Sequence, residues 1–398
     1  MGEIREMPKS RTRKRKSSVL KREKTSYFDY SLLAVLIFLI CFGLVMLYSS
    51  SAYSAMIQYE DSMHYFKRQA FFCIVGFAVI YVVVKIDYHK LAPYAKKIYW
   101  FSVFLMALVQ TPLGKEVNGA RRWLRLPAGQ QFQPAELAKI AVILFIPLLI
   151  CQMGKQINTI QGIGRVLLWG GFSAACVYFL TDNMSTGIIV MGISCLLIFV
   201  VHPKTAPFVA IFLAGLVAFV LAAIILSNVL KSGDFGGSFR LRRVIVWLNP
   251  EQHASDWGYQ VMQGLYAIGS GGFFGKGLGN SAQKMIIPEV QNDMILSIIC
   301  EELGVCGAII VLVLFGLLLY RLMFIAQNAP DLYGSLIVTG IFCHIALQVV
   351  LNVAVVINLI PTTGITLPFI SYGGTSILFL MTEMGLALCV SRRIEIEE

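Results

Sequence analysis

Residues 288–304 read PEVQNDMILSIICEELG, and they join a polar segment to an apolar run that continues to Tyr320. A run of this length is typical of a helix that crosses a lipid bilayer. Asp293 stands where the run begins, and Glu301 and Glu302 follow about two turns into it. Because a charged side chain at membrane depth costs ~2.5–3.5 kcal/mol or more, these three acids need polar surroundings that the protein itself supplies.

The amino-acid composition indicates a membrane protein made of helices. The chain has 398 residues, of which 57% are hydrophobic and only 14% are charged, whereas a soluble domain carries about 25% charged residues. Several apolar runs are ~18 residues or longer, which is enough to cross the hydrocarbon layer. The nine cysteines form no C-x-x-C pair and the five histidines are scattered, so neither residue type suggests a metal site. The predicted fold class is all-α and polytopic.

Ten apolar segments are predicted to cross the bilayer, and a large extracytoplasmic loop, residues 231–292, separates the seventh from the eighth. Lysine and arginine are enriched in the short loops on the side that also holds both termini, so the positive-inside rule predicts cytoplasmic termini. The transmembrane domain is expected to cover residues 28–391, followed by a short tail of residues 392–398. The approximate limits of the ten segments are 28–50, 69–86, 98–111, 136–153, 163–181, 184–201, 206–230, 293–321, 333–359 and 373–391.

The N-terminal tail, residues 1–27, carries most of the excess positive charge. Its first 24 residues hold ten basic and three acidic side chains, a net charge of +7 out of the total of +11. Such a tail before a first span is typical of a disordered cytoplasmic arm that touches anionic lipid. Nucleic-acid binding is the weaker interpretation, and we expect no nucleic-acid partner.

Two outer segments, residues 112–139 and 231–292, carry basic residues against the topological trend. These side chains either contact lipid headgroups or hold an anionic ligand, and their clustering favours the ligand. Guanidinium groups bind phosphate oxygens in a bidentate manner, so the clusters predict a site for a phosphorylated molecule. The basic residues considered for this site are Arg121, Arg122 and Arg125 in the first segment and Arg240, Arg243 and Lys276 in the second.

The stretch FQPAELAK marks the start of the fourth predicted span. Pro134 suits a first helical position, and Glu136 suits a first helical turn. Lys139 lies three residues after Glu136, so the two side chains share a helix face. The structural interpretation is a capped helix with a local ion pair, and the functional one is a polar face, beginning at Gln133, that lines an outer cavity.

The opening stretch places Asp293, Ser297 and Glu301 on one helix face. Because a lipid-facing acid is unfavourable, this face is expected to line a polar cavity. The alternative for Glu301 and Glu302 is structural, as partners of a buried lysine or arginine. Asp293 lies at the membrane interface, where a carboxylate acting as general base accepts a proton from a sugar hydroxyl as the new bond forms.

The stretch LPFISYGGTS interrupts the helical pattern between spans nine and ten. An irregular uncharged loop at membrane depth is tolerated where protein buries it or where it lines a cavity. Gly373 and Gly374 contribute to this break, and the candidates for hydrogen bonds to a polar ligand are Ser371, Tyr372, Thr375 and Ser376. Asn352 in span nine is either a further cavity residue or one half of a hydrogen bond between helices, and Glu383 in span ten has no role assigned from the sequence.

The segments NGARRW, FQPAELAK, GYQ…AIGSGGFFGKGLGNS, PEVQND…EELG and LPFISYGGTS, taken in this order, resemble the SEDS family of cell-wall glycosyltransferases. The resemblance covers nearly the whole chain from about residue 28. The family includes FtsW for division, RodA for elongation and a sporulation relative of FtsW. The stretch GLGNSAQK and the basic tail are more similar to FtsW than to RodA.

The resemblance implies a ten-span fold that polymerises lipid II on the outer face of the cytoplasmic membrane, with inversion at the sugar carbon and departure of undecaprenyl diphosphate. It implies that Asp293 is the essential acid and that Arg122, Gln133, Glu136 and Lys139 bind or orient the substrate. Ser371 to Gly374 match the family's Ser-Tyr-Gly-Gly segment. Met294, Ile295 and Leu296 depart from the usual sequence after the acid.

Three function classes remain open from the sequence alone. The leading hypothesis is an enzyme for septal or sporulation-linked wall synthesis, and the rivals are a lipid II flippase and a divisome scaffold that recruits a transpeptidase. The implied partners are lipid II, a class B penicillin-binding protein, other division proteins and the membrane. No cofactor is established by the sequence, and assistance by a divalent cation is left open.

Overall fold

The computed structural model describes residues 24–117, 120–125, 131–230, 239–256 and 258–397, so most of the basic N-terminal arm expected from the sequence lies outside the described residues. Helices dominate the described chain. They are α1 (Tyr30–Tyr59), α2 (His64–Lys85), α3 (Ala92–Leu108), α4 (Pro134–Met153), α5 (Ile160–Thr181), α6 (Met184–Val201), α7 (Ala206–Leu230), α8 (Phe239–Leu248), α9 (Tyr259–Gly271), α10 (Ile295–Asn328), α11 (Leu332–Val356) and α12 (Ser376–Ser391).

Each of the ten expected spans corresponds to a helix, and α8 and α9 lie in the outer segment between α7 and α10. Eight helices in the described part of the chain are long and apolar enough to cross a membrane. The remaining two expected spans, α3 and α12, are shorter, with 17 and 16 residues. The chain is therefore an all-α polytopic membrane protein, as the hydropathy pattern predicts.

Short strands occur outside the helices, which the sequence did not predict. Strands β2 (Gly114–Val117), β3 (Ala120–Arg125) and β4 (Gln131–Phe132) form an antiparallel sheet in the order β2-β3-β4. Leu124 of β3 is buried whereas Arg125 is exposed, so these neighbouring side chains lie on opposite faces of the strand.

The two ends of the described chain meet. Strand β1 (Lys24–Ser26) pairs antiparallel with β5 (Glu395–Glu397), and the amide of Tyr27 donates to the carbonyl of Ile394 at 2.9 Å. The segments that precede α1 and follow α12 therefore lie at the same end of the helix bundle. We call this the inner end, and we call the opposite end, which carries α8 and α9, the outer end.

Two buried polar contacts mark the limits of the apolar layer on α1 and α10. At the inner end, Arg321 Nη2 donates to Asp29 Oδ2 at 2.6 Å, and at the outer end Ser49 Oγ donates to Glu302 Oε1 at 2.7 Å. Ser49 lies twenty positions after Asp29, and Arg321 lies nineteen positions after Glu302. Each separation corresponds to ~30 Å of helix. This distance matches the hydrocarbon thickness of a bilayer, so Glu301 and Glu302 lie at its outer boundary rather than at its centre.

The inner contact predicts a large loss of stability when its charge is removed. Asp29 is fully buried, caps α1 by accepting from the Leu32 amide at 2.8 Å, and pairs with Arg321. Asparagine keeps the capping ability but leaves the guanidinium without its counter-charge, so Asp29→Asn is expected to lower the free energy of unfolding by ~3–5 kcal/mol. Thermal unfolding of the detergent-solubilised protein measures this loss.

The matched control for this prediction is Asp61→Asn. Asp61 pairs with Lys67 at 2.9 Å, but both side chains are exposed. A surface ion pair contributes about 0–1 kcal/mol, so the control is expected to unfold close to the wild-type temperature. Equal midpoints for the two variants would contradict the assignment of a structural role to the Asp29–Arg321 pair.

Candidate active site

The outer segment is attached to α10 by direct contact between two backbones. Helix α9 descends beside α10, and the chain then turns back through residues 272–278, which we call the glycine turn. Amides of Lys276 and Gly277 donate to the carbonyls of Glu301 and Glu302, both at 2.9 Å, and two amides of α10 donate back to the turn. The glycines of this segment thus permit close approach to another part of the chain.

Gly304 interrupts α10 at this contact. Its φ of +67° and ψ of −165° lie outside the helical region, and they turn the backbone toward the glycine turn. A Cβ atom at Gly304 would lie 2.3 Å from the carbonyl oxygen of Phe273 and 2.4 Å from the amide nitrogen of Gly275. The last residue of EELG is therefore required by backbone packing.

Glu301 and Glu302 hold this turn in place. The carboxylate of Glu301 accepts from Lys276 Nζ at 2.7 Å, from the Ala282 amide at 3.2 Å and from the Ser281 hydroxyl. Glu302 accepts from Lys284 Nζ at 3.2 Å in addition to Ser49. Both acids are fully buried, so the structure corresponds to the structural alternative that the sequence left open.

The expectation of a polar cavity along Ser297 and Glu301 differs from what the structure has. Ser297 is fully buried beneath Gly264 of α9. A Cβ atom added at Gly264 would lie 3.2 Å from the hydroxyl oxygen of Ser297. The carboxylate of Glu301 accepts a hydrogen bond from the glycine turn. The donor is Lys276, which was expected from the sequence to bind substrate and which forms an ion pair with Glu301. The cause is a contact between residues 25 positions apart, which helix periodicity alone does not reveal.

The loop after α11, residues 357–375, folds over the start of α10 and is held there by α11. Asn352 Nδ2 donates to the carbonyl of Asp293 at 2.9 Å and to that of Ile365 at 2.7 Å. One turn earlier, Gln348 Nε2 donates to the carbonyl of Thr366 at 3.0 Å. Asn352 is fully buried, so it fixes the backbone of Asp293 against this loop.

The carboxylate of Asp293 faces residues from three other parts of the chain. Gln260 Nε2 of α9 donates to Asp293 Oδ1 at 3.4 Å, and a Cβ atom at Gly364 would lie 3.9 Å from Asp293 Oδ2. Arg243 of α8 attracts the carboxylate electrostatically. Burial raises the pKa of Asp293, while the positive charge of Arg243 opposes that rise.

Two of the candidate arginines donate to backbone carbonyls in different segments. Arg243 Nη1 donates to the carbonyl of Thr362 at 3.1 Å. Arg122 Nη2 donates to the carbonyl of Asp182 at 3.0 Å, at the turn between α5 and α6. Ser185, at the start of α6, donates to the carbonyl of Thr363 at 2.5 Å. Arg243 therefore contacts the loop beside Asp293 directly, whereas Arg122 contacts the turn between α5 and α6.

A second cluster of polar side chains lies near Gln348, one turn of α11 before Asn352. Glu136 and Lys139 form a buried ion pair with a distance of 2.9 Å between Oε2 and Nζ. Glu136, Gln69, Gln348, Ser371 and Gly373 line a cavity of ≈ 20 Å³. This volume holds about one water molecule, so in this conformation the cavity is closed to a diphosphate.

The motif segments around this cavity are joined to each other. Thr375 Oγ1 donates to the carbonyl of Gln131 at 2.9 Å, which brings the YGGTS segment against the start of α4. Gln133 is buried at the N-cap position of α4, and Gly374 has a φ of +50° in the loop. The structure thus brings the motif FQPAELAK, at the start of α4, against the motif LPFISYGGTS, in the loop before α12.

Three contributing residues were missed in the sequence. Gln69 of α2 contacts both the carbonyl of Ser371 and the amide of Gly373, Gln348 holds Thr366, and Gln260 contacts Asp293. A signal was available for Gln69 and Gln348, because an amide side chain within an apolar span is uncommon and usually has an internal partner.

Glu383, left without a role by the sequence, has a partner in α11. Its Oε2 atom lies 2.7 Å from His344 Nδ1, and both side chains are buried. Among the described residues, no group of three or more His, Cys, Asp or Glu side chains is arranged to hold a metal ion.

Comparison with known proteins places these features in a wider context. A family model described as "Cell cycle protein", for FtsW, RodA and SpoVE, matches residues 30–395. Stage V sporulation protein E of Bacillus subtilis (strain 168) is 38% identical over 366 residues, which cover 92% of this chain and 97% of that protein. A probable peptidoglycan glycosyltransferase FtsW of Geobacter sp. (strain M18) is 33% identical over 371 residues, with the same two coverages.

A solved structure shows a similar fold. It describes the structural coordination of polymerization and crosslinking by a peptidoglycan synthase complex. One of its chains is 26% identical to this chain, with a TM-score of 0.74, and the match covers 92% of this chain and 98% of that one.

Proposed function

The chain belongs to the cell cycle protein family of FtsW, RodA and SpoVE, and from that premise we propose that it is a peptidoglycan glycosyltransferase. It polymerises lipid II into glycan strands at the outer face of the cytoplasmic membrane, in septal or sporulation-linked wall synthesis. Relatives named for sporulation and for peptidoglycan glycosyltransfer support this assignment.

The observation that carries the proposed mechanism is the position of Asp293. It lies at the outer end of α10, beyond the boundary marked by Glu302, with its backbone fixed by Asn352 and its carboxylate beside Arg243. A carboxylate whose pKa is raised by burial is a stronger base than an exposed one. These features support Asp293 as the general base.

The proposed reaction is a single displacement with inversion. Asp293 takes the proton from the acceptor hydroxyl while that oxygen forms a bond to the anomeric carbon of the donor sugar. The bond from that carbon to the diphosphate oxygen breaks, and the lipid diphosphate leaves with the electron pair. Arg243 and Arg122, whose guanidinium groups suit phosphate oxygens, are proposed to stabilise the charge that develops there.

Glu136, Lys139, Gln133, Ser371, Gly373 and Gly374 are proposed to bind or orient the substrate after the loop over their cavity opens. The cavity of ≈ 20 Å³ is too small for a diphosphate, so this role requires movement of residues 357–375. The glycines in that loop supply the needed backbone freedom. A divalent cation assisting the diphosphate is compatible with this proposal.

We also propose that both termini are cytoplasmic and that a class B penicillin-binding protein, with other division proteins, is the working partner. The pairing of β1 with β5, which brings both chain ends to one side, supports the first point. The fold similarity to a chain of a peptidoglycan synthase complex supports the second.

The decisive experiment is a polymerisation assay with purified full-length protein and labelled lipid II, with and without the cognate transpeptidase. Glycan polymer on a gel is expected, with the larger yield when the transpeptidase is present. Movement of lipid II across vesicle membranes without any polymer would favour a flippase. An inactive protein that still recruits the transpeptidase would favour a scaffold.

Arg243→Gln is expected to change the pH dependence of polymerisation. The general base works in its deprotonated form, so activity rises as the pH passes the pKa of Asp293. The charge of Arg243 lowers that pKa, so its removal raises the pKa and moves the acidic limb of the kcat/KM profile to higher pH.

Arg121→Gln is the matched control, because it makes the same change in net charge at an exposed residue that pairs with Glu116. Its acidic limb is expected to coincide with that of the wild type. A profile of Arg243→Gln that is lower at every pH but unshifted would contradict electrostatic coupling between Arg243 and Asp293.

A further inference from the structure

The glycine turn exposes large apolar side chains at its tip. Phe273 and Phe274 are 59% and 80% exposed, and their rings contact each other edge to face at 5.0 Å between centroids. Leu278, at the end of the turn, is also exposed. Exposed aromatic side chains grouped in this way indicate a surface that is covered by something other than water.

The height of these side chains relative to the bilayer follows from the hydrogen bonds of the turn. The amides of Val305 and Cys306 donate to the carbonyls of Gly272 and Phe273 at 3.0 and 3.2 Å. Val305 and Cys306 lie three and four residues beyond Glu302, ~5 Å toward the membrane centre. Because Glu302 marks the outer boundary of the hydrocarbon layer, the tip of the turn lies just inside that boundary.

The tip also continues the lipid-facing surface of α10. Val305, Ile309 and Val313 are exposed and are spaced four residues apart, so they form one apolar stripe along the helix. This stripe lies between the two polar contacts that delimit the apolar layer, where the surrounding medium is lipid. The carbonyl of Phe273 accepts a hydrogen bond from the Cys306 amide, which places Phe273 at the outer end of the same stripe.

On the water side of the tip, the turn carries one positively charged side chain, Lys276. Lys276 Nζ is partly exposed and pairs with Glu301, and Lys284 pairs with Glu302. Apolar side chains below a partly exposed basic side chain are an arrangement found in segments that lie in the interface of a bilayer.

We propose that Phe273 and Phe274 insert into the outer leaflet, at the boundary between headgroups and acyl chains, and that the glycine turn is an interfacial anchor. The turn is bonded to α10 and continuous with α9, which carries Gln260 to Asp293. The anchor therefore holds α9, and with it Gln260, at a fixed height beside Asp293. This inference concerns a membrane contact and stands independently of the proposed catalytic activity.

Fluorescence quenching in vesicles tests the anchor. Full-length Phe274→Trp protein is reconstituted into phospholipid vesicles whose acyl chains are brominated either near the headgroup or near the methyl end. The emission gained over wild type is expected to be quenched most by bromine near the headgroup, because interfacial groups lie ~5–10 Å deep. Circular dichroism of the variant confirms its helical content.

Tyr266→Trp is the matched control, because Tyr266 is exposed on α9 and lies ~10 Å of helix above the tip. Bromine near the headgroup is expected to quench Phe274→Trp at least about twofold more strongly than this control. Equal quenching of the two variants would overturn the proposal. Quenching that disappears when the transpeptidase binds would also overturn it and would identify the tip as a protein-docking surface.

Discussion

Glycan polymerisation is expected to fall by ~10²–10⁴-fold when Asp293 is replaced by asparagine, which is the usual contribution of a general base. Asparagine has nearly the same shape as aspartate and keeps the backbone carbonyl that accepts from Asn352. Its amide takes up no proton from the acceptor hydroxyl. The loss is therefore expected in kcat, while lipid II binding and the unfolding temperature stay close to those of the wild type.

Glu289→Gln is the control for Asp293→Asn. Glu289 is a neighbouring exposed acid that interacts electrostatically with Asp293, so its replacement removes one negative charge from the same region. Polymerisation by the control is expected to remain within a few fold of wild type. Full activity in Asp293→Asn would refute the base assignment. An inactive variant that still restores wall synthesis in cells would instead favour the scaffold.

Gly304→Ala is expected to destabilise the protein by roughly 3–5 kcal/mol, through two effects that add. An alanine with φ of +67° carries the strain of the left-handed region. Its Cβ atom would also lie 2.3 Å from the carbonyl oxygen of Phe273, so the glycine turn would have to separate from α10. Thermal unfolding in detergent measures the loss, and activity is expected to fall with it because the turn supports α9 and Gln260.

Gly316→Ala serves as the matched control on the same helix. Gly316 is exposed, and a Cβ atom there would meet no atom within 4 Å. Alanine at an ordinary helical position stabilises by about 0.5–1 kcal/mol relative to glycine. The control is thus expected to unfold at the wild-type temperature or slightly above it. A Gly304→Ala protein with an unchanged midpoint would show that the turn is free to move away from α10.

The helical spans were predictable because their signal is local. An apolar run long enough to cross the hydrocarbon layer identifies a helix without knowledge of its neighbours, and α4, α6 and α11 begin within two residues of the predicted positions. The strand β3 was missed because its sequence, ARRWLR, does not alternate between polar and apolar residues and was interpreted for its charges.

The pairings within the site were less predictable, because they depend on residues distant in the sequence. Lys276 and Glu301 were assigned to two different roles, and the structure shows them as one ion pair. Conversely, Gln348 and Asn352 are spaced by four residues on α11 and share a face, so their joint contact with the loop was open to inference from periodicity. The assignment of Asp293 as base remains a prediction.

The positions of Glu302 and Asp293 together imply how far the Asp293 carboxylate stands above the hydrocarbon layer. Ile295 lies seven residues before Glu302, which corresponds to ~10 Å of helix, so the carboxylate of Asp293 stands above the hydrocarbon layer by more than the length of a diphosphate. In the proposed reaction, a sugar tethered through a diphosphate meets Asp293 in the hydrated headgroup zone while its isoprenoid tail stays in the lipid. The growing polysaccharide then elongates away from the surface and never has to enter the bilayer.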